Sequence, residues 1–229
     1  QKGQILIEIP KGTYTLDVRN NGPYKFHNLT DVHINGNGST VICNNQEQAF
    51  SFYNCVRVEL RDLTIDYDPL CFTQGEITAV AEDGSWFDKG YPVTGLAANR
   101  VQFYDPQTRL LKRNSITTYT SNYSELKQLG HNLFRAVKNG TWSAGEQVGD
   151  LVVMDVKTDK PNAGVHTIML NKCYNTKLEN VTVYGSNTFS FFEKEGYANE
   201  YKNCVVDRGP MPQGIAPRLR SGNADGIHS

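Results

Sequence analysis

The chain predicts an all-β fold of stacked parallel coils, and three observations carry that prediction. Apolar residues at i, i+3, i+4 and i+7 are nearly absent, while short period-2 alternations bounded by Gly, Asn and Asp recur along its 229 residues. Asparagine is abundant and glycine numbers 20, a composition suited to many sharp corners. The third observation is a weak internal repeat. Residues 55–65 lie without gaps on residues 173–183, and residues 60–66 lie on residues 201–207. The second and third copies stand 23 residues apart, the span of one coil of a parallel β-helix, whose turns cannot bury their apolar faces alone.

Taken in order, Ile5-Leu6-Ile7-Glu8-Ile9 and Thr13-Tyr14-Thr15-Leu16 read as β-rich runs around a Pro10-Lys11-Gly12 turn. Val32-His33-Ile34 alternates as a half-buried strand does, and Asn35-Gly36-Asn37-Gly38 supplies a sharp corner. Residues 50–66 alternate again. From Gly75 to about Gly164 the repeat signature is missing, and short alternating runs at residues 76–80, 101–104 and 150–156 predict a small inserted β-domain. Ser124-Glu125-Leu126-Lys127-Gln128-Leu129 reads as a single helical turn within it. The predicted organisation is therefore β-helix coils over residues 1–74, an inserted β-domain over 75–164, and continuing coils over 165–229 that break off in mid-pattern. Cys55 and Cys173 fall at the same point of consecutive coils, about 5 Å apart by strand spacing. Either a stack of buried free thiols or a disulfide fits that placement.

Composition limits the function. A net charge of −1 provides no field to draw in nucleic acid or an anionic membrane. No run of eighteen apolar residues spans a bilayer, and Gln1-Lys2-Gly3 begins no signal-peptide apolar region. Five cysteines without a C-x-x-C pair make neither a disulfide framework nor a zinc site.

At Thr64-Ile65-Asp66-Tyr67-Asp68-Pro69-Leu70-Cys71-Phe72-Thr73-Gln74-Gly75, at Phe192-Glu193-Lys194-Glu195-Gly196 and at Asn223-Ala224-Asp225-Gly226-Ile227-His228-Ser229, the sequence resembles right-handed parallel β-helix carbohydrate-active proteins of the pectin-lyase-like type. Among them it is most similar to glycoside hydrolase family 110, the α-galactosidases, and their uncharacterised bacterial relatives. In that group an Asp-x-Asp-Pro…Gln-Gly segment leads from an early coil into an inserted β-barrel-like domain. The resemblance covers most of the chain from Val32 on. It implies a glycoside hydrolase acting on galactose-containing or related glycans, secreted or periplasmic, of which this chain is an N-terminal portion. The Asn223-Ala224-Asp225-Gly226 stretch is also similar to the Asn-Thr-Asp-Gly of polygalacturonase-type enzymes, whose later motifs are not present.

Glycosidic hydrolysis uses two carboxyl groups, about 5–5.5 Å apart for retention and about 6.5–9.5 Å for inversion. Neighbouring coils, or positions offset along a strand, supply either separation. Asp225 is the leading catalytic candidate, because Gly226 beside it permits close approach of a sugar. A turn-capping role suits the same composition. Glu193 and Glu195 are read as alternating onto one side of a strand, and like charges held together favour the proton that a general acid needs. Lys194 between them fits a solvated corner instead. Asp207 is the remaining candidate carboxylate. Arg208, Arg220 and His228 are candidates for binding substrate, Arg220 from a Pro- and Gly-rich excursion of the kind that forms site walls. Asp66 and Asp68 would begin a calcium site but have no third acid nearby, so no metal or other cofactor is expected. Trp86, Trp142 and Tyr91 suit either sugar stacking or the core of the insert.

The expected partner is an oligo- or polysaccharide, with no nucleic acid and no membrane span. Two other readings share these residues. A polysaccharide lyase would abstract the proton beside a uronate carboxylate, and a carbohydrate-binding fragment would turn nothing over.

Overall fold

The computed structural model describes residues 4–17, 23–44, 48–70, 72–90, 100–113, 118–119, 122–155, 166–186, 188–210, 218–219 and 226–229. Two compact units emerge: Gln1–Leu70, Ala163–Ala216 and Ala224–Ser229 form one, and Cys71–Asn162 with Pro217–Asn223 form the other. The first unit begins with β1 (Ile5–Glu8), β2 (Thr13–Leu16), β3 (Tyr24–His27), β4 (Thr30–Cys43), β5 (Phe50–Tyr53) and β6 (Val56–Tyr67). The second holds β7 (Phe72–Val80), β8 (Trp86–Gly90), β9 (Arg100–Tyr104), β10 (Thr118–Tyr119), β11 (Tyr123–Gly130), β12 (Leu133–Lys138) and β13 (Leu151–Asp155). The chain returns to the first unit in β14 (Ile168–Asn171), β15 (Lys177–Tyr184), β16 (Phe191–Lys194), β17 (Glu200–Lys202), β18 (Val205–Asp207) and β19 (Ile227–His228).

The first unit is a parallel β-solenoid of two sheets. Its first sheet runs β1-β4-β6-β15-β17, with β2 on β4 and β18 on β15; its second runs β19-β16-β14-β5-β3. The internal repeat is the physical register: Leu60 pairs with Leu178 and Leu178 with Tyr201, while Thr64 pairs with Thr182 and Thr182 with Val205. Period-2 alternation then fills the interior with stacked apolar rungs. One rung is Ile34, Leu60 and Leu178; another is Phe50, Ile168 and Phe191, all at most 2 % exposed. Each such side chain contributes about 1.5–3 kcal/mol on burial.

Three corners recur among the described coils, and asparagine fills several of them. Asn28, Asn54, Lys172 and Glu195 close β3, β5, β14 and β16 at φ of 53–55°, in the left-handed region that asparagine enters more readily than most residues. Asp31, Arg57, Asn175 and Ala198 make a second such column, and Asp62, Asn180 and Asn203 a third. Amide side chains link the coils there: Asn54 Nδ2 donates to Asn28 Oδ1 at 2.7 Å, and Asn180 Nδ2 to Asp62 Oδ1 at 2.8 Å. At Gly36 a Cβ would fall 2.4 Å from the Asp62 carbonyl oxygen, so the backbones of adjacent coils meet only because that residue is glycine.

Cys55 and Cys173 are buried free thiols. Contact with the Cys55 thiol, then burial, pushes the Cys173 thiol well above its ordinary range. The second unit is a seven-stranded antiparallel sheet ordered β10-β9-β13-β7-β8-β12-β11. Residues 124–129 are not a helical turn there but the body of β11, paired antiparallel with β12. The local preference of Glu, Leu, Lys and Gln yields to tertiary pairing along an edge strand. Trp142 packs edge-on against Tyr123 at 5.8 Å, and Trp86 carries the Arg135 guanidinium 3.6 Å above its ring, so both serve this unit's own packing. Tyr91 lies outside the described residues.

Candidate functional site

The solenoid presents two outward faces of opposite chemistry. On the first sheet the outward positions carry alternating charge. His33 Nδ1 lies 2.5 Å from Glu59, Lys177 reaches Glu59 at 3.7 Å and Glu179 at 2.5 Å, and Lys202 reaches Glu179 at 2.6 Å. Hydrogen bonding from Lys177 first, then from Lys202, holds the Glu179 carboxyl down to about 2. This face satisfies itself.

On the second sheet, register aligns two outward rows. Lys25, Ser51, Met169, Phe192 and His228 form one; His27, Tyr53, Asn171 and Lys194 form the other. Alternation in β16 sends Phe191 inward, 1 % exposed, and leaves Phe192 half-buried on the outside. Four rings gather at that point. His166 lies 4.1 Å from Phe192 and 5.0 Å from Phe189, and His228 lies 4.1 Å from Phe189, with interplanar angles of 24°, 2° and 2°. His228 is exposed and the other three rings are intermediate in burial. The Thr188 hydroxyl sits 3.0 Å from His166 Nδ1 and fixes that ring's orientation. Burial, then the neighbouring His228, lowers the His166 pKa, so the stack favours a neutral imidazole. Farther along the face His27 and Tyr53 pair at 5.8 Å, with the Lys172 ammonium 5.9 Å from the Tyr53 ring. Rings stacked face to face on one another present their edges and outermost faces, which are able to meet sugar C–H groups and to bond polar substituents.

Among the described residues, the candidate carboxylates read from the sequence do not gather at one place. Glu193 and Glu195 do not share a face. Glu193 points inward, in register with Leu170 above it, and accepts hydrogen bonds from Asn199 at 2.8 Å and Tyr201 at 3.2 Å. Glu195 has φ of 53°, which ends the alternation, and lies exposed 3.6 Å from Lys172 and 3.5 Å from Lys194. The expectation of strict alternation through residue 195 fails because β16 stops at Lys194 and the corner begins. Asp207 ends β18 on the other sheet, where its Oδ1 accepts the Arg208 N–H at 2.6 Å. Asp66 does the same in the first repeat, with its Oδ1 on the Tyr67 N–H at 2.7 Å. The repeated aspartate thus accepts the next residue's N–H in both copies, at the last residue of β18 and at the last but one of β6. Asp225 and Arg220 lie outside the described residues. Among the described residues no group of three or more His, Cys, Asp and Glu side chains is placed to hold a metal ion; Asp66 is buried and Asp68 exposed.

Of the aromatic face, sequence reading found only His228. Phe189 and Phe192 were legible as an apolar run, but their outward or inward direction depends on where β16 starts. The stretch Tyr24-Lys25-Phe26-His27 carried a usable signal, a four-residue alternation with a basic group at every second position.

No protein-family model and no curated protein sequence matches the chain. Solved structures similar to it include the Gp54 tailspike of Acinetobacter baumannii bacteriophage AP22 in complex with A. baumannii capsular saccharide, at 12% identity and a TM-score of 0.24 over 82% of this chain. Another is the tailspike protein gp49 from Pseudomonas phage LKA1, at 10% identity and a TM-score of 0.23 over 92% of this chain. The chain spans 42% and 47% of the lengths of those two proteins.

Proposed function

We propose that this chain is a polysaccharide-degrading protein, glycoside hydrolase-like in its chemistry, whose solenoid engages galactose-containing or related glycans along the outer face of its second sheet. The single observation that carries this reading is the ring stack of His166, Phe189, Phe192 and His228 on a rigid, outward β-surface. Pyranose rings present apolar C–H faces that such rings accept, and the polar edges of imidazole and lysine suit hydroxyl or carboxyl groups. The family 110 likeness of the Asp66–Gly75 and Asn223–Ser229 stretches points the same way. In this reading Asp225 supplies the general acid or base, since it directly precedes the residue from which β19 continues beside Phe191 and Phe192.

The test is digestion of a glycan panel by this chain and by an Asp225→Asn variant, followed by chromatography and ultraviolet absorbance. Saturated products that vanish in the variant are expected. Ultraviolet-absorbing unsaturated ends would replace hydrolysis with lyase chemistry, and binding without any product would leave a carbohydrate-binding scaffold.

A further inference from the structure

Charge on the second sheet's outer face is segregated. Its nine outward positions in β3, β5, β14, β16 and β19 hold Lys25, Lys194, His27 and His228 and no carboxylate. The first sheet places Glu8, Glu59, Glu179 and Glu200 at its own outward positions, each in register with a polar or basic neighbour. The first sheet's outward rows thus mix acids with His33, Arg61, Lys177 and Lys202, whereas the second sheet's outward rows are basic and aromatic. At the rim of this face Glu195 lies 3.5 Å from Lys194 and 3.6 Å from Lys172.

We infer that this face is a binding track for an acidic polysaccharide, a uronate-containing chain that crosses the strands from Lys25 to His228 and stacks on the Phe192, Phe189 and His228 rings. The inference rests on the glycan-engaging reading above and adds the substrate class. The row from Lys25 to His228 crosses five strands, roughly 19 Å at the interstrand spacing. It is straight and pre-formed, so an extended polymer binds without the protein reordering. Lys25 stands at the β3 end of this row and Lys194 beside Phe192 on β16, so charge-assisted bonds are available at the far end and next to the ring cluster, which occupies the β16–β19 end.

Calorimetric titration of the whole chain with oligogalacturonates, with neutral oligogalactosides of matched length and with a single-stranded oligonucleotide tests this. The acidic glycan should bind about tenfold more tightly than the neutral one, in a salt-sensitive way. Lys25→Gln with Lys194→Gln should remove most of that preference, up to about fivefold per lysine. Phe192→Ala should weaken both glycans by about tenfold, and Lys202→Gln on the opposite face should change neither. His228→Ala, at an exposed ring, provides the same reading if Phe192→Ala fails to fold. Equal binding of neutral and acidic glycans, indifferent to the lysines, overturns the acidic assignment and leaves the glycan reading standing. No glycan binding by folded protein overturns both. Oligonucleotide binding as tight as that of oligogalacturonate, through the same lysines, replaces the glycan with nucleic acid.

Discussion

The two faces of the solenoid share one backbone, one coil spacing and one alternation, yet they end in opposite states. On the first sheet, Glu59, Lys177, Glu179 and Lys202 neutralise each other across three successive strands. On the second, rings and lysines stand in rows with no carboxylate among them. A solenoid fixes where outward side chains stand but not what they are, so one face is free to serve solubility and the other recognition.

The strongest way to break that comparison lies in two adjacent phenylalanines. Phe191→Ala empties a rung of the core and should cost about 3–5 kcal/mol in urea unfolding. Phe192→Ala removes only an outward ring and should cost about 1 kcal/mol, the value of a ring contact. Equal costs would mean that Phe192 is structural and the recognition face misplaced.

Acid titration separates the faces next. The Glu179 carboxyl is held down to about 2 from 4.5. A depressed carboxyl contributes stability that is present above the unfolded value and lost as pH falls through the folded one. Thermal unfolding should therefore weaken between about pH 4.5 and pH 2, and Glu179→Gln should flatten that window. His166 supplies a smaller effect in a different window. Its pKa is depressed from 6.5, so below that pH the unfolded chain takes up a proton that the stacked ring resists, and stability falls as pH is lowered. His166→Asn should remove this dependence above pH 4.5 and leave the Glu179 window untouched. A merged single transition in the native protein would deny that the two faces are independent.

Much of the fold was legible in the chain. The match of residues 55–65 to 173–183 is the register of β6 on β15, because stacked coils repeat whatever fills a shared interior. The site was far less so. Glu193 looked like a surface acid next to Lys194, yet it occupies an inward rung beneath Leu170 with Asn199 and Tyr201 as hydrogen-bond donors. A pattern of two gives two sides, and a polar residue on the inner side reads as an error of phase until its partners are seen.

The sequence by itself determined the β class, the coil period, the inward rungs and the corners, because alternation, repeat length and the left-handed tolerance of asparagine are local properties. The tertiary structure alone decided which outward residues became neighbours. Ser51 stands beside Met169 only because the chain leaves after Leu70, builds a second unit and returns to the next layer of the same stack, and Phe189 stacks on His228 because a later coil brings β19 beside β16. Contacts across such separations follow from strand pairing, which no local propensity encodes.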